Sequence, residues 1–409
     1  MCANSYDLDS SKEIEKYLDS ILSKRSIFKN RDALRPDFIP DFLPHRENEL
    51  KRLSEIFAPL LLSSKPSNAL LFGKTGTGKT ASIKLVSKIM LQKAREKNIN
   101  FIASYINCRL EGTEYRILSS FANSLNLQVP FTGLATEEVL KRITSYLQKV
   151  FTNVLLILDE VDTLVKSYGD DVLYELSRIN ETFSNSRLAL VVISNDISFK
   201  DFLDPRVLSS LSEEEVLFKP YTAEELKDIL NARVELAFNE NVVSKDVLNL
   251  VAAMSASEHG DARRALNLLR VAGEIAERRG SPVITEQDVK EASLKIEEDQ
   301  VFEISRTLPL HSRLLLAALL IFNQNNQVPS SGELFTKYKS LASNLGIQEL
   351  TYRRVSMLLN ELEMLGLIQS KVQNMGRHGR TRKMKIATPL EPIRKALSSD
   401  VMLAQFVTK

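Results

Sequence analysis

Between residues 68 and 219, short apolar runs alternate with longer stretches whose apolar positions recur at helical spacing. The strand candidates are "NALLFG", "NFIASYINC", "NVLLILDE" and "RLALVVISN". Near-continuous apolar runs need cover on both faces, and helix-length segments separate them. That combination predicts a parallel sheet with helices on each side, an α/β nucleotide-binding architecture. At "FKPYTAEELKDILNARVELAF" (218–238) the period changes. Thr222 followed by Glu225 is a capping-box pattern, and Leu226, Ile229, Leu230 and Val234 make one apolar helix face. Helical patterns run on to about 298 with no strand run between them, which predicts a small all-helical domain. Past "KIEEDQVFEISRTLPLHSR", three helical patterns lead into "LGLIQSKVQNMGRHGRTRKMKIAT", read as a strand, a basic loop and a second strand. Upstream, residues 1–30 read as a polar arm. "RPDFIPDFLPHRENEL" (35–50), with three prolines, reads as an extended segment entering a helix near Arg46. The expected limits are therefore an arm at 1–30, a nucleotide-binding domain at 31–219, a helical domain at 220–298 and a C-terminal domain at 299–409.

Length agrees with several domains, since 409 residues exceed one ordinary core. Two cysteines, Cys2 and Cys108, exclude a disulfide scaffold or a cysteine zinc site. The polar, acidic start has no apolar core, so it is not read as a signal peptide. "LLLAALLIF" (314–322), the longest apolar run, is too short to span a bilayer. A cytoplasmic protein with no membrane partner is expected. The net charge of +2 hides an asymmetry: residues 301–409 carry fifteen Lys/Arg against seven Asp/Glu, a balance of +8 that leaves −6 on the rest. A basic C-terminal third on a mildly acidic body suits a polyanion-binding module, or else a solvated basic face.

The chemistry concentrates in "ALLFGKTGTGKTASIKL" (69–85). Gly73, Lys74, Thr75, Gly76, Thr77, Gly78, Lys79 and Thr80 match G-x-x-x-x-G-K-[ST] between a strand and a helix. Such glycines let backbone N–H groups turn toward phosphate oxygens, and the helix adds its positive end. Lys79 would reach the β and γ phosphates, and the Thr80 hydroxyl would hold Mg²⁺. "NVLLILDEVD" ends a strand in Asp159 and Glu160, suited to the Mg²⁺ water shell and to a general base. Asn195 closes "ALVVISN" and could orient water, though Asn-Asp also favours plain turns. Arg206 in "LDPRVLSSL" could reach a neighbouring subunit's γ-phosphate. Arg263 in "HGDARRALNLL" could fold over the nucleotide of its own chain. The bland reading of both is surface salt bridging.

The C-terminal module has the anatomy of a winged helix. In "ELTYRRVSMLLNELEMLGLI", Val355, Leu358, Leu359, Leu362 and Leu365 repeat at helical spacing as a packing face. Thr351, Tyr352, Arg353, Arg354, Ser356 and Asn360 are left to reach phosphates or base edges. The following loop carries Lys371, Arg377, His378, Arg380, Arg382, Lys383 and Lys385, with no acid between Glu363 and Glu391 and with Gly376 and Gly379 to turn it. A wing used for protein contacts is the alternative.

Gly73–Thr80, Asp159-Glu160, Asn195, Arg206 and Gly260-Asp261-Ala262-Arg263 resemble, in this order, Walker A, Walker B, sensor 1, the arginine-finger region and sensor 2 of AAA+ ATPases. "LRPDFIPDFLPHRENEL", "YINCRLEGTEYRIL", "VPFTGLAT" and "FKPYTAEELKDILNAR" further resemble archaeal replication initiators of the origin-recognition and cell-division-cycle type. The resemblance covers about residue 30 to the C-terminus. It implies an AAA+ P-loop core, a small α-helical lid and a C-terminal winged helix, with ATP or ADP and Mg²⁺ as ligands. It implies further that Pro40, Pro44, His45 and Arg46 pack beside the adenine, with Ala81, Tyr221 and Arg233 completing the site. Pro130, Phe131, Thr132 and Gly133 would belong to a DNA-touching insertion. The partners implied are origin duplex DNA, the replicative helicase and other initiator paralogues on DNA. Slow ATP turnover serving as a switch is the implied activity. A clamp-loader-like or helicase-loading motor, or an ATP-dependent transcriptional regulator, remains the alternative.

Overall fold

The computed structural model describes residues 26–62, 64–130, 132–182, 185–211, 213–258, 260–374 and 380–407. Most of the expected arm, together with Phe131, Arg377, His378, Gly379 and the side chain of Arg380, lies outside the described residues. The chain divides into two compact units, Met1–Val289 and Lys290–Lys409.

Unit one is built on five strands: β1 (Ala69–Phe72), β2 (Phe101–Asn107), β3 (Asn153–Asp159), β4 (Arg187–Ser194) and β5 (Glu214–Leu217). They pair in parallel in the order β2-β3-β4-β1-β5. All seven residues of β3 are buried. Their alternation explains the continuous apolar run. Val154, Leu156 and Leu158 face one core with the helices Glu114–Ser124 and Thr136–Lys149; Leu155 and Ile157 face the other with Glu47–Leu61 and Lys79–Glu96. Every strand expected from the sequence is present, and β5 is additional. Its sequence, Glu-Glu-Val-Leu, buries only Val216, because an edge strand packed on one side needs one apolar residue. Phe121 is fully buried in the first core. Phe121→Ala is expected to cost about 3–5 kcal/mol, read from the denaturant midpoint.

The helices Ala223–Ala237, Lys245–Ser257 and Ala262–Arg279 follow the sheet. The capping box forms as read: Thr222 accepts from the Glu225 N–H, and Glu225 accepts from the Thr222 N–H. The segment before the sheet is anchored here too. Phe28 stacks on Phe238 with ring centroids 4.7 Å apart, and a Cβ on Gly273 would come within 2.6 Å of the Phe28 ring.

In unit two, the helices Leu310–Gln324, Ser331–Asn344 and Tyr352–Met364 precede an antiparallel pair, β6 (Ile368–Asn374) and β7 (Arg380–Ile386), then the helix Leu390–Ser398. Val355, Leu358, Leu359 and Leu362 are buried as the spacing predicts. Leu365 is not: it is 47% exposed, because the helix ends at Met364 and Gly366 turns the chain at φ 72°. No helix among the described residues is long and apolar enough to cross a membrane.

Candidate functional site

The loop after β1 places its glycines at φ 150° (Gly73), 71° (Gly76) and 92° (Gly78), and Gly78 caps the helix Lys79–Glu96. The left-handed values at Gly76 and Gly78 suit glycine alone without strain, and both residues are approached closely. A Cβ on Gly76 would overlap the Asp261 carboxyl, and one on Gly78 would sit 2.7 Å from the Tyr221 hydroxyl. The helical part therefore touches the loop directly, and the Ala262 N–H donates to the Gly76 carbonyl at 3.2 Å. Asp261 caps its own helix by accepting from the N–H groups of Arg263 and Arg264.

Lys79 is 4% exposed, and its ammonium donates to the Gly73 and Lys74 carbonyls, both at 2.7 Å. Burial pushes it down to about 8, against the opposing pull of Asp159. Desolvation disfavours the charge, and an anion in the loop would restore it. Thr80 donates to Asp159 Oδ2 at 2.7 Å, which joins the end of β3 to the phosphate loop. No cluster of three His, Cys, Asp or Glu suited to a metal occurs among the described residues. Two protein oxygens, with phosphates and water for the remainder, fit Mg²⁺, which keeps most of its waters and binds few carboxylates.

Beside the loop opens a cavity of about 340 Å³. The segment Arg35–Pro44 forms one wall, including Pro40 and Pro44; Gly76, Gly78, Thr80 and Ala81 form its floor; Tyr221, Arg233 and Arg263 come from the far side. The structure thus brings most of the expected ligand residues together. His45 and Arg46 stand apart from that lining. His45 Nε2 lies 2.8 Å from Asp228 Oδ2. The buried Arg46 donates to the Thr77 carbonyl at 2.9 Å and the Lys219 carbonyl at 2.7 Å, and stacks 3.9 Å from the Tyr221 ring centroid. Its guanidinium braces the back of the loop. Arg233 donates to the carbonyls of Ala33 and Phe38 at 3.1 and 3.2 Å, and burial pushes it down to about 10. Lys74 and Thr75 are exposed on the loop.

Glu160 takes a left-handed conformation, φ 53°, at the N-cap of the helix Val161–Tyr168. Asn107 donates to its Oε1 at 3.2 Å, and Arg109 lies 3.7 Å from its Oε2. Asn195 directly follows β4, and its N–H donates to Asp162 Oδ1 at 3.3 Å. Arg206 is away from the cavity, with a 78% exposed side chain bonded to Asp204 at 3.0 Å.

In unit two, Thr351 caps its helix, and Tyr352, Arg353 and Arg354 are exposed beside a half-buried Ser356. Lys371 and Lys383 are directly opposed across β6 and β7. Lys383 Nζ donates to the Val328 carbonyl at 3.0 Å. Arg382 points inward, donating to Asn360 at 2.7 Å, Glu363 at 2.6 Å and Ser370 at 2.8 Å. Pro130, Thr132 and Gly133 are exposed between two helices of unit one.

Residues 63–201 match the AAA domain, 227–294 the Cdc6 AAA+ ATPase-type lid domain, and 303–396 the CDC6 C-terminal winged helix domain. The ORC1-type DNA replication protein 1 of Sulfurisphaera tokodaii is 48% identical over 390 residues, covering 95% of this chain and 97% of its own. The chain belongs to the ORC1-type DNA replication protein family. Among solved structures, the Aeropyrum pernix ORC1 protein in complex with DNA is 45% identical, with a TM-score of 0.85 over 93% of this chain and 99% of its own. The Aeropyrum pernix ORC2 protein, in ADPNP–ADP complexes, shares the fold at 22% identity and a TM-score of 0.61, covering 94% and 100%. Within this ORC1-type site, two contributors escaped the sequence reading: Asn107 holds Glu160, and Asp162 holds the end of β4. Asp261, quoted there within the sensor-2-like motif, packs on Gly76. Asn107 closes β2 opposite Asp159 in register, a pairing that the sequence does not show.

Proposed function

We propose that this ORC1-type chain is an ATP-switched replication initiator that grips origin duplex DNA with its winged helix and the insertion around Pro130–Gly133. It deforms that DNA and recruits the replicative helicase. The observation that carries the switch is the contact of Gly76 with Asp261 and Ala262. Phosphates held by the loop lie where it meets the first turn of the lid helix, so their number bears on the core-to-lid contact. Lys79 and the loop N–H groups bind the phosphates; Thr80 and Asp159 would hold Mg²⁺, which offsets the phosphate charge when bound. Glu160, held by Asn107, polarises the attacking water, Asn195 orients it, and Arg263 stabilises charge from the lid. Arg206 acts on another subunit's nucleotide, a role its exposure suits. Turnover is slow, and the protein works on the nucleoid in the cytoplasm beside initiator paralogues.

The DNA half of the reading draws on the Aeropyrum pernix ORC1 complex with DNA. It draws also on Lys371 and Lys385, which are exposed on the same face of the hairpin without an ion pair among the described residues. The test is Glu160→Gln. ATP affinity should persist while hydrolysis falls by about 10²–10⁴, the usual share of a general base. The ATP-loaded variant should leave an origin footprint that differs from that of the wild type with ADP. Unchanged turnover removes Glu160 from its role, and identical footprints remove the switch.

A further inference from the structure

We propose that Tyr105 is a positioning residue for the cation that accompanies the nucleotide, aiming Asp159 from the edge of the sheet while Lys84 covers its ring. The inference rests on the Mg²⁺–ATP reading above.

Tyr105 lies on the edge strand β2, opposite Ile157 in register, and its hydroxyl reaches along β3 to donate to Asp159 Oδ2 at 2.8 Å. Thr80 donates to the same oxygen at 2.7 Å, and the Glu160 N–H donates to Oδ1 at 2.9 Å. A carboxylate offers about four lone-pair sites. Three donors fix its plane and leave about one lone-pair site for cation-bound water. The hydroxyl's choice of partner is the informative point. The residue is 37% exposed, and its hydroxyl is bonded to a buried carboxylate. Lys84 Nζ lies 3.8 Å from the ring centroid, a cation over a π face, and Lys84 itself borders the nucleotide cavity. Packing alone would be satisfied by a phenylalanine. The hydroxyl adds the bond to Asp159, beside an interaction with the Asn107 side chain.

Partners of a metal ligand typically tune metal affinity about 10–100-fold. In Tyr105→Phe, binding of a fluorescent ATP analogue should match the wild type in EDTA. The Mg²⁺ concentration that half-maximally strengthens binding should rise about tenfold. In an Asp159→Ala background, Tyr105→Phe should change nothing further. Superimposable magnesium curves for wild type and Tyr105→Phe overturn the proposal, and so does an equal loss in EDTA, the mark of a packing role. A wild type that binds no ATP with or without Mg²⁺ brings down the nucleotide reading, and this proposal with it.

Discussion

Lys79→Ala should bind ATP about a hundredfold more weakly than the wild type, with little change in the stability of the protein without nucleotide. The ammonium donates to the Gly73 and Lys74 carbonyls. Turning it toward two phosphate groups replaces neutral acceptors with charged ones. Hydrogen bonds to charged groups exceed those to neutral ones by about 1–1.5 kcal/mol each, so exchanging two is worth about 2–3 kcal/mol. At about 1.4 kcal/mol per decade, that is about two orders of magnitude in affinity. The loop keeps its shape without the side chain, because Thr77 still donates to the Lys74 carbonyl and Arg46 still holds the Thr77 carbonyl. Calorimetric titration reads the affinity, and melting with and without ATP reads the fold. The nucleotide-induced rise in melting temperature should vanish while the baseline stays. Retained affinity would move the phosphates away from this loop.

What the sequence disclosed follows from how strongly each element constrains its residues. β3 is covered on both faces, so all its positions must be apolar and the run is unmistakable. β5 needs a single buried valine at the sheet edge, which leaves almost no pattern to see. The phosphate loop is legible because its backbone demands glycine at Gly76 and Gly78, where side chains and conformation together exclude a Cβ. Asn107 and Tyr105 were not assigned roles. Their partners, Glu160 and Asp159, are more than fifty positions away in the chain, and only strand pairing brings them together.

Arg46 and Arg382 show the opposite difficulty. Both read as ligand-facing cations, yet each guanidinium is engaged within the protein, Arg46 by backbone carbonyls and two aromatic rings, Arg382 by Asn360, Glu363 and Ser370. Charge and position in a basic run do not reveal direction. On a strand, direction follows alternation. Arg382 shares the register of Val372, Ser370 and Met384, the side of the hairpin that includes buried Met384, whereas Lys371, Lys383 and Lys385 fall on the opposite face.

That alternation decides the second large expectation. Replacing Arg353, Arg354, Lys371 and Lys385 together with alanine should weaken duplex DNA binding on the order of a thousandfold at about 0.1 M salt. It should also reduce the salt slope by about 3–4, at roughly 0.9 per phosphate contact. All four are exposed, and none has an ion pair among the described residues, so the fold loses little with them. Removing Lys371 should even relieve the hairpin slightly, because it faces Lys383. Arg382→Ala should behave differently: a salt slope like the wild type's, with a lower melting temperature as Glu363 and Asn360 lose their shared donor. Anisotropy titrations over a series of salt concentrations, paired with thermal melts, separate the two classes. A quadruple variant with the wild-type slope would mean that the winged helix contacts something other than the phosphate backbone, and an Arg382→Ala slope as shallow as the quadruple's would mean that this guanidinium leaves Glu363 when DNA arrives.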